Sequence, residues 1–427
     1  MAATARGFCP VEEYREMSDE SDIRDEGEEE EAANDPLSLV PPDPVLQQHR
    51  WITLPEVPTL LYFVALVTQY PVTQFWLFDH FSHKYNWTKQ NDVDYCGNSS
   101  QTNSSDAELE NKVQSQTNKY FMYMMFISSF TAILPTLFLG ALTDKFGRKF
   151  VFYVSFLGML GSELLTVIVF QYDLTPDLLF ISSFMQGLSG SYGLFLAAAF
   201  GMVADITSPG KQRAFRVTVI EAVIAVASSV GSATSGIWVK EMGYVWPMAF
   251  SMGEVVLAAL FVLFLIPETL LERHHHPFSG KTIIKCFEFY VRDTPNKRRF
   301  KLIISLVCFL TILGSFIGES NFVLLFLLHR PFCWPKVQIT IFEGLLTLVK
   351  WLVVMGFILA AKRCISEPVF AMIGSVSCAT GYLLRGLAKG SLLIFVGKID
   401  FFFFSRLTLY LHFLCHRLTP ECCKVSL

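Results

Sequence analysis

Charge is scarce in this chain. Only 17 % of its 427 residues are Asp, Glu, Lys or Arg and 52 % are apolar, a balance that a soluble chain of this length would not easily keep in solution. A basic field is also missing: 34 Lys and Arg face 38 Asp and Glu, which excludes nucleic acid as a partner. The N-terminus has no basic segment leading into a short apolar core, so no cleaved signal peptide is expected and the first span serves as the insertion signal. Gly-rich phosphate loops and nucleophile motifs are absent, which argues against an enzyme and calls for no cofactor. The run His274, His275, His276 has no Cys or carboxylate beside it and reads as solvated linker rather than metal site. Ten cysteines in a chain this long do not form a disulfide scaffold.

What is present is a series of long apolar runs. A helix needs about 20 mostly apolar residues to cross a bilayer, and these runs are too continuous for barrel strands. Spans are expected near 57–78, 120–142, 150–171, 178–204, 217–238, 246–266, 302–328, 337–361 and 368–388, with a weak one at 391–414. The fold class is therefore an all-α polytopic membrane protein with the lipid bilayer as its surroundings.

Three glycosylation sequons, at Asn86, Asn98 and Asn103, crowd the hydrophilic loop between the first two spans. Glycans are added on the luminal or extracellular side, so that loop is expected outside and the N-terminus in the cytosol. Basic residues agree with this threading. Lys145, Arg148 and Lys149, then Lys211, Arg213 and Arg216, then Arg273 through Lys301, and Lys362 with Arg363 all fall inside, while Lys240 alone lies outside between the fifth and sixth spans. The same threading brings Cys96 and Cys333 to the oxidising side, where a bridge between them is expected.

Five regions follow. Residues 1–55, with the acidic run Glu28 to Glu31, read as a disordered cytosolic tail; 56–267 as a six-helix bundle carrying the glycosylated loop; 268–300 as a cytosolic linker. Residues 301–398 read as a partial second bundle and 399–427 as a divergent tail. Two bundles with a mid-membrane site between them is a transporter layout. Gly187, Gly190, Gly193, Gly231 and Gly236 leave little side chain on one face of the fourth and fifth spans, where backbones are expected to approach closely.

The most specific local signal is Gly140-Ala141-Leu142-Thr143-Asp144-Lys145-Phe146-Gly147-Arg148-Lys149. It resembles the signature loop of the major facilitator superfamily. Gly147 permits a tight turn, and Asp144 and Arg148 are placed to form charge-assisted contacts that hold one conformation and break in another. A narrower resemblance lies in Val203-Ala204-Asp205-Ile206-Thr207-Ser208, in Phe215-Arg216-Val217-Thr218-Val219-Ile220-Glu221-Ala222 and in Pro331-Phe332-Cys333-Trp334. These segments are similar to the proton-coupled folate transporter family, solute carrier family 46, from about the first span to about Lys398. The resemblance implies a two-bundle major facilitator fold of twelve spans, of which about ten are found here, so the second bundle reads as incomplete. It also implies first-loop glycans, a bridge matching Cys96 and Cys333, proton coupling at Glu221, and a need for Asp144, Arg148 and Asp205 in transport; Gly147 and Arg216 join that conformational set.

Glu221 stands out without the resemblance. A carboxylate in an apolar helix costs roughly 2.5–3.5 kcal/mol to insert on the translocon scale for Asp, and such residues face a bundle interior or cavity. Desolvation disfavours the charged form, so Glu221 is expected to take a proton when open to an acidic exterior and release it toward the cytosol. A Glu held in a static core by Ser or Arg neighbours is the alternative. Glu163, Glu254, Glu319, Glu343 and Lys350 also fall within spans; Lys350 is a candidate to attract an anionic substrate and Glu319 to pair with it or carry a proton. A family histidine linked to coupling falls near Phe316, a departure that weakens the case for folate. Tyr14-Arg15-Glu16-Met17 has the form of a sorting signal, and Cys415, Cys422 and Cys423 are candidates for palmitoylation.

The reading is a symporter that moves an organic anion, such as folate or a related pteridine, with protons supplied by a gradient. It sits in the plasma membrane or an endosomal or lysosomal membrane, with a homo-oligomer left open. Alternatives are a lysosomal exporter of peptidoglycan fragments or steroid conjugates, and a truncated, non-transporting variant that regulates a full-length partner.

Overall fold

Glycines and a few polar stripes decide where the apolar runs become helices. In the computed structural model the described residues are 55–87, 104–207, 211–268, 323–328, 332–361, 367–388 and 390–398, with single positions at 303, 307 and 318. Their helices are α1 (Glu56–Lys84), α2 (Ser104–Phe146), α3 (Arg148–Gln171), α4 (Leu178–Leu188), α5 (Ser191–Ile206), α6 (Lys211–Met242), α7 (Val245–Phe264), α8 (Lys336–Ala361), α9 (Glu367–Gly386) and α10 (Ser391–Lys398). Among the described residues the regular structure is entirely helical. Among the described residues, five stretches are long and apolar enough to cross a membrane: α1, α3, Leu178–Ile206, Phe215–Met242 and α7.

Two helices differ from the expected spans. The fourth span is broken, because Gly190 adopts φ +80°, a left-handed conformation that costs little only for Gly, and its N–H donates to Gly187 O at 2.8 Å. The second difference is at the start of α2, where helix begins at Ser104, inside the stretch read as the sequon loop, and runs into the apolar part at 120–142. Glu110, Val113 and Thr117 are buried there at helical spacing, and Gln114 Nε2 donates to Leu325 O at 3.0 Å. The stripe is mostly polar, so an apolar-run reading passes over it.

The first bundle packs α1 against α6 and α7, α2 against α4, and α3 against α4, α5 and α7; α6 also lies along α8. In lipid the apolar environment supplies no net drive for helices to pair, so close packing of small residues matters more. A Cβ on Gly231 would stand 2.8 Å from Val64 O on α1, and one on Gly187 would stand 2.6 Å from Ser128 O on α2. On the other face of α6, Gly236 admits Thr340, and Gly344 of α8 comes so near α6 that its Cβ would lie 2.6 Å from Ser229 O. Gly193 behaves otherwise. It faces open space, so the expected close approach does not extend to it.

Two buried apolar clusters occupy opposite ends of the bundle. One, including Phe75, Trp76, Trp87, Val113, Leu325 and Trp334, lies toward Asn86 and draws on both halves of the chain. The other, including Tyr62, Phe152, Phe156, Phe195, Met202 and Ile266, lies toward Arg148 and is built from the first half alone, with Tyr62 stacked on Phe195 at 4.0 Å.

Candidate functional site

At the end marked by Arg148, one Gly and one carboxylate set the geometry. Gly147 takes φ +97° just before α3, and Glu268, after the end of α7, fills the space where a Cβ would stand. The Glu268 carboxylate accepts the Arg148 N–H at 2.9 Å and the Lys149 N–H at 3.3 Å, which satisfies donors left open at the start of α3. The Arg148 side chain turns inward, only 8 % exposed, and donates from Nε and Nη2 to the two oxygens of Asp205 on α5 at 3.1 and 3.4 Å. This fork is a charge-assisted, two-point contact in a buried setting. Gly201, one turn before Asp205, leaves room for the guanidinium plane.

Two further arginines brace the same end. Arg213 donates to Ala204 O at 3.0 Å and Thr207 O at 3.1 Å, closing the carbonyl end of α5. Arg216 of α6 pairs with Glu56 at the start of α1 at 3.1 Å. The partners named in this set all lie in the first half of the chain. Asp144 lies in the last turn of α2. Glu268 was read as the first residue of a linker; its position directly after Pro267 at the end of an apolar run is the only sequence signal that marks it.

Glu221 lies on α6, half-buried, in the part of that helix nearer Arg216. Ten residues along, at about 1.5 Å per residue, α6 reaches Gly231 and then the crossing with α8. Ser232 Oγ donates to Thr340 O at 3.4 Å across that crossing. Lys350 and Glu343 are half-buried on α8, two turns apart. Glu319 and Phe316 lie outside the described residues, as do Cys96, Asn98, Asn103, the His274 run, Tyr14 and the cysteines of the tail. Glu163 and Glu254 lie within the first bundle rather than at its meeting with the second.

At the opposite end, a three-member cluster joins the halves. Lys336 Nζ, at the start of α8, is 2.8 Å from both carboxylate oxygens of Asp79 near the end of α1 and donates to Tyr244 Oη at 3.0 Å. The Tyr244 hydroxyl in turn donates to Asp79. Burial, reinforced by the Asp79 carboxylate, holds the Tyr244 phenol far above its usual range, so it remains a donor. Lys336 also lies over the rings of Phe75 and Tyr244, at 5.4 and 5.6 Å. Sequence reasoning missed this cluster, because Asp79 and Lys336 stand at span boundaries where lone charges are ordinary. Nearby, Cys333 is held in a disulfide, and Asn86 is exposed at φ +52° just past the end of α1.

A sequence profile described as Major Facilitator Superfamily matches residues 107–415. The chain belongs to that superfamily. Among proteins of known function it is 26 % identical over 302 residues to the lysosomal proton-coupled steroid conjugate and bile acid symporter of Gallus gallus, covering 69 % of this chain and 65 % of that one. It is 27 % identical over 334 residues to the proton-coupled folate transporter of Bos taurus, covering 78 % of this chain and 71 % of the relative. The chain thus spans about two thirds of the length of these relatives, which are membrane transporters and not enzymes. Among solved structures it resembles the human organic anion transporter TETRAN, with TM-score 0.55 and 19 % identity over 84 % of this chain and 83 % of that one. The nucleoside transporter NupG matches with TM-score 0.55 and 13 % identity over 83 % of this chain and 79 % of that one. Both likenesses concern the fold.

Proposed function

We propose that this superfamily member is a secondary active transporter that moves an organic anion together with protons by alternating access. The observation that carries the reading is the crossing of α6 on α8: two halves of the chain meet at small residues, and the same α6 carries a half-buried carboxylate, Glu221, within its span. A helix that both forms the meeting of the bundles and bears a titratable group is suited to link proton binding to their rearrangement. Glu221 is the coupling residue in this reading. Arg148, Asp205, Gly147, Asp144 and Arg216 hold the conformation at their end, and Lys350, with Glu319, supplies charge for the substrate.

Both relatives reported above are named as proton-coupled, which supports a proton gradient as the driving force. Their named substrates differ, so folate and steroid conjugates or bile acids are the two substrate classes to set against each other. The Asn86 end is the luminal or extracellular one in this reading, with Asn86, Asn98 and Asn103 glycosylated and Cys96 bridged to Cys333. A plasma-membrane site favours folate uptake, and an endosomal or lysosomal site favours export of steroid conjugates.

Uptake by the purified full chain in liposomes tests the reading. Labelled folate and a labelled steroid sulfate are offered at an acidic outside and a neutral inside, with and without a protonophore. Accumulation of either that collapses with the protonophore and in Glu221→Gln is the expected result. Binding without accumulation under any gradient would instead favour a non-transporting variant.

A further inference from the structure

The deepest carboxyl group in the first bundle is not Glu221. Glu163, within α3, is 0 % exposed and faces α7 through Ser251 and α1 through Tyr62. Its Oε1 meets Ser251 Oγ of α7, and its Oε2 is buried with no hydrogen-bond partner. Ser251 Oγ is also 3.2 Å from Ala65 O of α1.

Proton counting decides what this geometry holds. A serine hydroxyl has one hydrogen to give, a backbone carbonyl has none, and an ionised carboxylate has none. The chain from Ala65 O through Ser251 Oγ to Glu163 Oε1 therefore contains two contacts and, if Glu163 were ionised, one hydrogen. Both contacts are made as separate two-centre hydrogen bonds, rather than one hydrogen shared between two acceptors, only when Glu163 carries a proton: its O–H donates to Ser251 Oγ, and Ser251 donates to Ala65 O. The remaining Oε2 is then the carbonyl oxygen of a neutral acid, far less costly to bury unpartnered than an anionic oxygen.

Among the described residues the surroundings offer no substitute charge. The titratable groups that interact with Glu163 are Tyr62 of α1 and Glu254 of α7, with Tyr70 of α1 and Tyr192 of α5 beyond Tyr62; none of them is a cation. From α4 come hydroxyls, with Ser182 bonded to Ser162 and Thr166 of α3 at 2.8 and 2.9 Å. Residues 124–142 of α2 have no titratable side chain. On α1, α3, α4, α5 and α7 the basic residues are His80, His83 and Lys84 at one end and Arg148 and Lys149 at the other, so none sits mid-span. Glu254 is one turn beyond Ser251 on the same face of α7, half-buried, and its own Oε2 is buried without a partner.

We infer that Glu163 is a proton-binding site inside the first bundle, separate from Glu221, in which the bound proton bridges α3 to α7 and α1 through Ser251. The inference concerns the bound proton and does not depend on the transport reading.

Infrared difference spectroscopy of the purified full chain tests it without any substrate. A carbonyl-stretch band of a protonated carboxyl should be present at neutral pH, be lost in Glu163→Gln and remain in Glu221→Gln. In Ser251→Ala the same band should move to the position of a free carboxyl, because its acceptor is gone. A band unchanged in Glu163→Gln overturns the inference. If Glu163→Gln does not fold, Ser251→Ala decides: a shifted band supports the site, and an unshifted one overturns it.

Discussion

The two ends of this bundle use their charges in opposite ways. Toward Arg148, the ion pairs Arg148–Asp205 and Arg216–Glu56 and the hydrogen bonds from the start of α3 to Glu268 lie within the first half of the chain. Toward Asn86, Lys336 reaches from the second half to Asp79 and Tyr244 of the first, over an apolar cluster shared by both. Among the described residues, the contacts named at one end brace the first bundle, whereas those at the other latch the two halves together. On the alternating-access reading proposed above, a contact between the halves must break for that end to open, and the Asp79–Lys336 contact is made in this structure.

The comparison is easiest to break at the brace. Arg148→Ala removes the fork on half-buried Asp205 and should cost about 3 kcal/mol of stability, read as a lowered midpoint of thermal unfolding in detergent. Arg148→Lys should recover only part of this, since an ammonium does not reproduce the fork on both Asp205 oxygens. If Arg148→Ala unfolds at the wild-type temperature, the brace contributes nothing. Gly147→Ala comes next, at about 1–3 kcal/mol, because Ala at φ +97° is strained and its methyl collides with Glu268.

The latch should respond differently. Asp79 and Lys336 are partly exposed, so Asp79→Asn should change global stability by only about 1 kcal/mol while shifting the balance between closed and open states. Exchanging the two charges, Asp79→Lys with Lys336→Asp, should restore the wild-type balance, measured as thiol-labelling rates at the Asn86 end; no rescue would mean the pair is incidental. The smallest effect is expected at Gly193. Gly193→Ala meets open space and should stay within about 0.5 kcal/mol of wild type, whereas Gly231→Ala presses on Val64 O and should not.

Much of the helical layout was legible because a span must be long and apolar whatever surrounds it. The run at 150–171 became α3 almost residue for residue. The run at 178–204 was read as one helix, since hydropathy is blind to the left-handed Gly190 that divides α4 from α5. Arg148 and Asp205 were singled out separately, by a loop signature and a segment resemblance, and the fold brings them together. Glu268 and the Asp79, Tyr244 and Lys336 cluster were not legible. Each is a single polar residue at the end of an apolar run, and only the folded chain reveals that ends 257 residues apart in sequence meet. The buried stripe at the start of α2 was hidden for another reason: Glu110 and Thr117 are polar, yet helical spacing places them against the bundle.

The claim that the Asp79–Lys336 contact latches the two halves while the Arg148–Asp205 contact braces the first bundle is open to a direct distance measurement. Spin labels on Glu241, at the end of α6, and on Ser391, at the start of α10, report separation across the bundles in a background without free thiols. Asp79→Asn should add a longer-distance population to that pair, whereas Arg148→Lys should leave the distribution as in wild type. An unchanged distribution in Asp79→Asn, or the same lengthening in Arg148→Lys, would contradict the account.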